Sequence, residues 1–75
     1  MTRDGFLTYL LRFGLPASII SFDGPGADEQ YGIEYRRDGW AVYYYERGER
    51  RDERMFSTES EALRYLLGWV VDHNL

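Results

Sequence analysis

The chain has no cysteine, no lysine, two prolines, a single histidine and no long apolar run among its 75 residues. Without cysteine, neither a disulfide framework nor a thiolate metal site is available, and the composition is compatible with a reducing compartment. No segment approaches the roughly 18 apolar residues of a membrane span, and the start Met1 to Gly5 lacks the apolar stretch of an export signal. The expectation is a cytoplasmic protein without membrane association. Because lysine is missing, all nine basic residues are arginine, a bias that coding composition explains as readily as a need for guanidinium forks.

What the chain does have is rings and carboxylates. Aromatic residues make up 17% and hydrophobic residues 44%, enough for one small domain over residues 1–75 to fold without metal or disulfide if the large rings are well buried. Thirteen acidic residues give a net charge of −4, which repels phosphate backbones at long range and disfavours nucleic acid as a partner. The one arginine cluster, Arg47, Arg50, Arg51 and Arg54, is interleaved with Glu46, Glu49, Asp52 and Glu53, so it reads as a mixed-sign hairpin and not as a basic patch.

Along the chain, Phe6, Leu7, Leu10, Leu11 and Phe13 recur at helical spacing, with Asp4 available as a cap and Gly14 and Pro16 ending the helix near Phe13. Ala17 to Phe22 is β-prone and reads as a short edge strand, followed by a turn-rich loop from Asp23 to Glu29. Tyr31, Ile33 and Tyr35 alternate with Gly32, Glu34 and Arg36, the pattern of a strand with one buried face. Asp38-Gly39 predicts a two-residue hairpin centred on those residues, which sets Tyr35 opposite Val42 and Ile33 opposite Tyr44. Tyr31, Ile33, Tyr35, Trp40, Val42 and Tyr44 then share the core face, and Glu34, Arg36, Ala41, Tyr43 and Tyr45 the other. A second turn through Arg47, Gly48 and Glu49 leads to a strand ending at Met55-Phe56, with Phe56 expected inward. Thr58 and Glu61 form a capping box for a helix to about Asp72, whose apolar stripe of Ala62, Leu63, Leu66, Leu67, Trp69 and Val70 covers the sheet. Gly68 weakens that helix and invites a close-packing explanation. The fold class is α+β: an antiparallel three- to four-stranded meander flanked by an N-terminal and a C-terminal helix.

No catalytic constellation emerges. His73 lies after the last apolar turn of the helix without convergent partners, the serines have no base in reach, and a chain this short offers no evident cleft for paired carboxylates. The acids of the Asp23 to Glu29 loop lack the alternating spacing of a calcium loop, and Gly24-Pro25-Gly26 lacks the lysine and helix of a phosphate cradle. A non-enzymatic domain without cofactor or metal is expected. Tyr43 and Tyr45 are either covered or form a partner-binding patch, since tyrosine brings large contact area at low entropic cost. With nearby acids, the candidate partner-binding residues are Tyr43, Tyr45, Glu34, Glu46, Asp28 and Glu29.

Gly39-Trp40, then Val42-Tyr43-Tyr44-x-Glu46-Arg47-Gly48, Phe56-x-Thr58-Glu59-x-Glu61-Ala62 and Tyr65-Leu66-Leu67, resembles small acidic bacterial immunity proteins that accompany polymorphic toxins. The resemblance covers Tyr31 to Leu67 and consists largely of fold-forming residues. It implies a cytoplasmic inhibitor that binds a cognate toxin domain, and it carries no toxin-contacting residue with it. The alternative is a homodimeric interaction or regulatory module that pairs a sheet edge or the tyrosine face with itself.

Overall fold

The computed structural model describes residues 1–75. Helix α1 (Arg3–Arg12) leads through a 3-10 turn (Ala17–Ile19) into strand β1 (Ile20–Phe22). Strands β2 (Gln30–Arg36), β3 (Gly39–Glu46) and β4 (Glu49–Phe56) then form a meander closed by helix α2 (Glu59–Asn74). The sheet order is β1-β2-β3-β4, with β1 parallel to β2 and the other pairs antiparallel. The fold class is therefore α+β, with one parallel pair in place of an all-antiparallel meander.

A parallel neighbour normally needs a long crossover. Seven residues suffice here because β1 is only three residues long, so the Asp23 to Glu29 loop has little distance to retrace. Gln30 holds this loop from both sides: its Oε1 accepts from the Ala27 amide at 2.7 Å and its Nε2 donates to the Ser18 carbonyl at 2.7 Å.

Helix α1 is capped by Thr2, whose hydroxyl accepts from the Gly5 amide; Asp4, expected as the cap, lies inside the first turn, where its charge favours the helix dipole. At the other end Gly14, at φ +75°, donates to the Leu11 carbonyl while Leu15 donates to that of Leu10. This pair of reversed hydrogen bonds terminates the helix and turns Leu15 back into the core beside Leu10. In α2 the Thr58 hydroxyl accepts from the Glu61 amide at 3.2 Å and donates to the Glu61 carboxylate at 3.1 Å.

Both helices cover one face of the sheet. Phe6, Leu10 and Leu15 from the N-terminal segment, Ala62, Leu63, Leu66 and Val70 from α2, and Ile20, Tyr31, Ile33 and Val42 from the sheet make one buried cluster. Phe56 packs against it while Met55 points away and is exposed, as expected. Arg3 ties the layers together at the surface. Its guanidinium donates to Asp23 and Glu59 and lies 5.0 Å from the centre of the Phe22 ring.

The first hairpin turns on Arg37 and Asp38, at φ +57° and +62°, and not on Asp38-Gly39. Ile33 consequently faces Val42, Tyr35 faces Trp40 and Tyr31 faces Tyr44, a shift of two residues from the expected register. A two-residue shift preserves which side chains share a face, so the division of the sheet stands, but Tyr35, expected in the core, lies at the end of that face beyond the helices and is 60% exposed. Glycine contacts explain the choice of register. Gly32 lies across from Tyr43, and a Cβ there would sit 2.3 Å from the Tyr43 ring. A Cβ on Gly39 would approach the Phe56 carbonyl oxygen to 3.0 Å. Gly39 thus serves strand packing, and the positive-φ positions fall to its two predecessors.

The second hairpin turns on Arg47 and Gly48, so Glu49, expected in the turn, begins β4 opposite Glu46. Strand β4 carries a bulge: Val42 pairs with Arg54 but Tyr44 with Arg51, leaving Asp52 and Glu53 opposite Tyr43. Asp52 occupies φ +55°, a conformation that aspartate tolerates better than most residues. The bulge moves Arg51 to the helix side and Arg50 to the free side.

Candidate functional site

The free face of the sheet has no helix over it, yet Ala41 and Tyr43 are fully buried there. Their cover is made of side chains. Arg50 lies 5.2 Å from the centre of the Tyr43 ring and donates through Nε to Glu34 at 2.9 Å. Arg36 lies 3.9 Å from Glu34 and pairs with Glu53 beyond it. Two arginines and two glutamates form a chain across β2 and β4 that neutralises itself. Beneath it the Tyr43 ring rests on Gly32 and its hydroxyl has no hydrogen-bond partner. Burial, reinforced by the Glu34 charge, pushes the Tyr43 phenol up to about 12. Tyr43, a candidate partner contact, is therefore an interior ring of this layer; its strand alternation marks a side of the sheet, not exposure. Tyr45 lies on the same side, half-buried opposite Arg50 and Gln30.

The remaining candidates gather elsewhere. Asp28 and Glu29 end the loop before β2, and Glu46 ends β3. Asp28 accepts from the Arg47 amide at 2.6 Å, which fastens the loop to the second hairpin. These acids surround Tyr44, whose phenol is raised first by burial and then by the charges of Glu29 and Glu46, with Tyr31 and Asp28 adding less. The six candidates thus split: Tyr43, Tyr45 and Glu34 belong to the free face, and Asp28, Glu29 and Glu46 to one end of the strands.

At that end lies a groove of about 370 Å³ lined by Tyr31, Tyr44, Asp52, Trp69, His73 and Asn74. Tyr31 stands at its centre, with ring centroids 5.0 Å from Tyr44 and 5.1 Å from Trp69 and interplanar angles of 64° and 84°. Asn74 fixes the assembly by donating to the Tyr31 hydroxyl at 3.4 Å and to the Val70 carbonyl at 2.8 Å. His73 stacks edge-on to Trp69, and its Nδ1 is 2.8 Å from the Trp69 carbonyl oxygen. Glu46 and Glu49 both engage Arg51, whereas Asp28, Glu29 and Asp52 make no ion pair. The last turn of α2 contributes His73 and Asn74 to this lining, which brings the negative end of the helix beside the groove.

Asp52, Trp69 and Asn74 were not among the sequence candidates. The spacing of Tyr65, Trp69 and His73 was the available signal, since residues four apart stack along one side of a helix. A second groove, of about 300 Å³, lies on the other flank of Trp69 between Arg64, Tyr65, Gly68 and Asp72. Gly68 does not serve close packing there, because a Cβ on it would meet nothing within 4 Å.

No group of three or more His, Cys, Asp or Glu side chains converges to hold a metal ion. No helix is long and apolar enough to cross a membrane. No family model, curated protein or solved structure matches the chain.

Proposed function

We propose that this chain is a non-enzymatic, cytoplasmic protein-binding domain, an immunity protein that binds and neutralises a cognate bacterial toxin domain. The observation that supports this reading is the concentration of carboxylates without ion pairs, Asp28, Glu29 and Asp52, beside Tyr44 and the negative end of α2. The lid on the free face is electroneutral, so the chain's net charge of −4 resides outside it. Charge placed at one end in this way steers a basic partner during encounter, and the half-buried Tyr44 and Trp69 rings beside it supply contact area once docked. A toxin with a cationic active-site cleft, as in a nuclease, is the kind of partner such a surface fits. The resemblance over Tyr31 to Leu67 points to the same class.

The test mixes the purified domain with the toxin domain encoded beside it and follows association at increasing salt. Tight binding with an on-rate that falls steeply with ionic strength, together with loss of toxin activity, supports the proposal. Absence of association overturns it. Self-association is the second reading, favoured by Tyr9, Leu11 and Phe13, which α1 and its cap leave exposed. Mass in solution at rising concentration distinguishes the two, because a homodimer forms without any partner.

A further inference from the structure

We propose that the groove lined by Tyr31, Tyr44, Trp69 and Asp52 receives one guanidinium side chain from the protein partner. This deepens the reading of the chain as a binder of a basic partner and rests on it. Three features converge on a cation at this place. Tyr31 meets Tyr44 and Trp69 edge-on, with centroids 5.0 and 5.1 Å apart, so the three rings pack as one continuous aromatic wall against which a cation seated in the groove lies. Asp52 lines the groove without an internal ion-pair partner, and the bulge fixes its backbone at φ +55°. The last turn of α2 supplies the lining residues His73 and Asn74 together with the negative end of the helix.

The protein's own cations do not occupy the position. Arg51, the neighbour of Asp52, is held by Glu46 at 3.6 Å and Glu49 at 3.4 Å, and Arg54 lies 5.5 Å from the centre of the Tyr65 ring. Neither lines the groove. A guanidinium fits better than an ammonium because it is planar, stacks on rings, sheds water more readily and still presents a fork of donors to a carboxylate.

The probe is Nα-acetyl-arginine amide, titrated into the full chain while the Trp69 indole N–H resonance is followed by NMR. Trp40→Phe identifies the signal by removing the other tryptophan. The citrulline and lysine counterparts serve as the neutral isostere and the alternative cation. Asp52→Asn removes the charge while keeping a residue that tolerates positive φ, and an unchanged spectrum elsewhere establishes that the variant is folded. The expected result is a saturable Trp69 shift with arginine, weakened at least about fivefold with citrulline and by a similar factor in Asp52→Asn. Equal response to citrulline, equal response to lysine, or no saturable shift with arginine overturns the assignment. Arginine binding without toxin association removes the proposed function and keeps the groove. Toxin association with no arginine binding removes the groove and keeps the function.

Discussion

The two faces of the sheet are closed by different means. On one, two helices bring aliphatic and aromatic side chains onto Ile33 and Val42, and exclusion of water from apolar surface does the work. On the other, no element covers Tyr43 and Ala41; Arg50 lies over the Tyr43 ring and is joined through Glu34 and Arg36 to Glu53. The Arg50 guanidinium itself lies over the ring, 5.2 Å from its centre, and the Arg36 Nε is buried within the same layer. A small domain can thereby bury a tyrosine without a third layer. What the difference teaches is that a face may be interior without being covered by backbone, and that its charge can be spent entirely within itself. The carboxylates left without ion pairs, Asp28, Glu29 and Asp52, lie outside that layer, where the proposed recognition surface is placed.

The comparison can be broken most forcefully at Tyr43. If the ring is interior, Tyr43→Ala lowers unfolding free energy by about 3–5 kcal/mol, as for other buried rings. That would consume much of the stability of a chain this size, about 4–11 kcal/mol in all. Chemical denaturation measures it, and a loss below about 1 kcal/mol would return the ring to the surface. Next in size is Gly32→Ala, which drives a methyl into the ring and is expected to cost about 1–3 kcal/mol. Combined with Tyr43→Ala the two losses should be clearly less than additive, since the smaller side chain removes the clash.

Alkaline titration sharpens the contrast without a large perturbation. The Tyr43 phenol ionises at about 12 in the folded chain against about 10 unfolded, so the unfolded chain releases its proton first. The resulting contribution is complete below pH 10 and is lost as pH rises from about 10 to about 12. Denaturation midpoints across that range should fall less steeply in Tyr43→Phe, which keeps the ring and lacks the titrating group. On the helical layer, Gly68→Ala should stabilise by about 1 kcal/mol, because the position is helical and open. Smallest of all is the lid pair itself: Glu53→Gln should shift stability by about 1 kcal/mol or less, since Arg36 and Glu53 remain partly solvated.

Much of the fold was legible in the residues. Period-two alternation assigned Tyr31, Ile33, Val42 and Tyr44 to one face, and Thr58 with Glu61 marked the start of α2, because both signals are local. The hairpin register was missed by two residues, since two dipeptides there accept positive φ and the choice between them depends on Tyr43 needing a glycine beneath it. The parallel pairing of β1 left no trace, as three residues carry no periodicity. The bulge was equally silent, with aspartate where glycine commonly takes positive φ. The site was half visible: Asp28, Glu29 and Glu46 come together, but around Tyr44. Whether Tyr43 is covered or open stayed undecided in the sequence, because alternation tells which side a ring is on and not which neighbours fold over it.

Binding of the proposed toxin partner to two variants, one from each region, tests the central claim most directly. Asp28→Asn with Glu29→Gln and Asp52→Asn should slow association at low salt by about tenfold or more, while Tyr45→Ala on the free face changes it by less than about twofold. A strong effect of Tyr45→Ala with none from the three neutralised carboxylates would contradict the account and place the partner on the other side of the sheet.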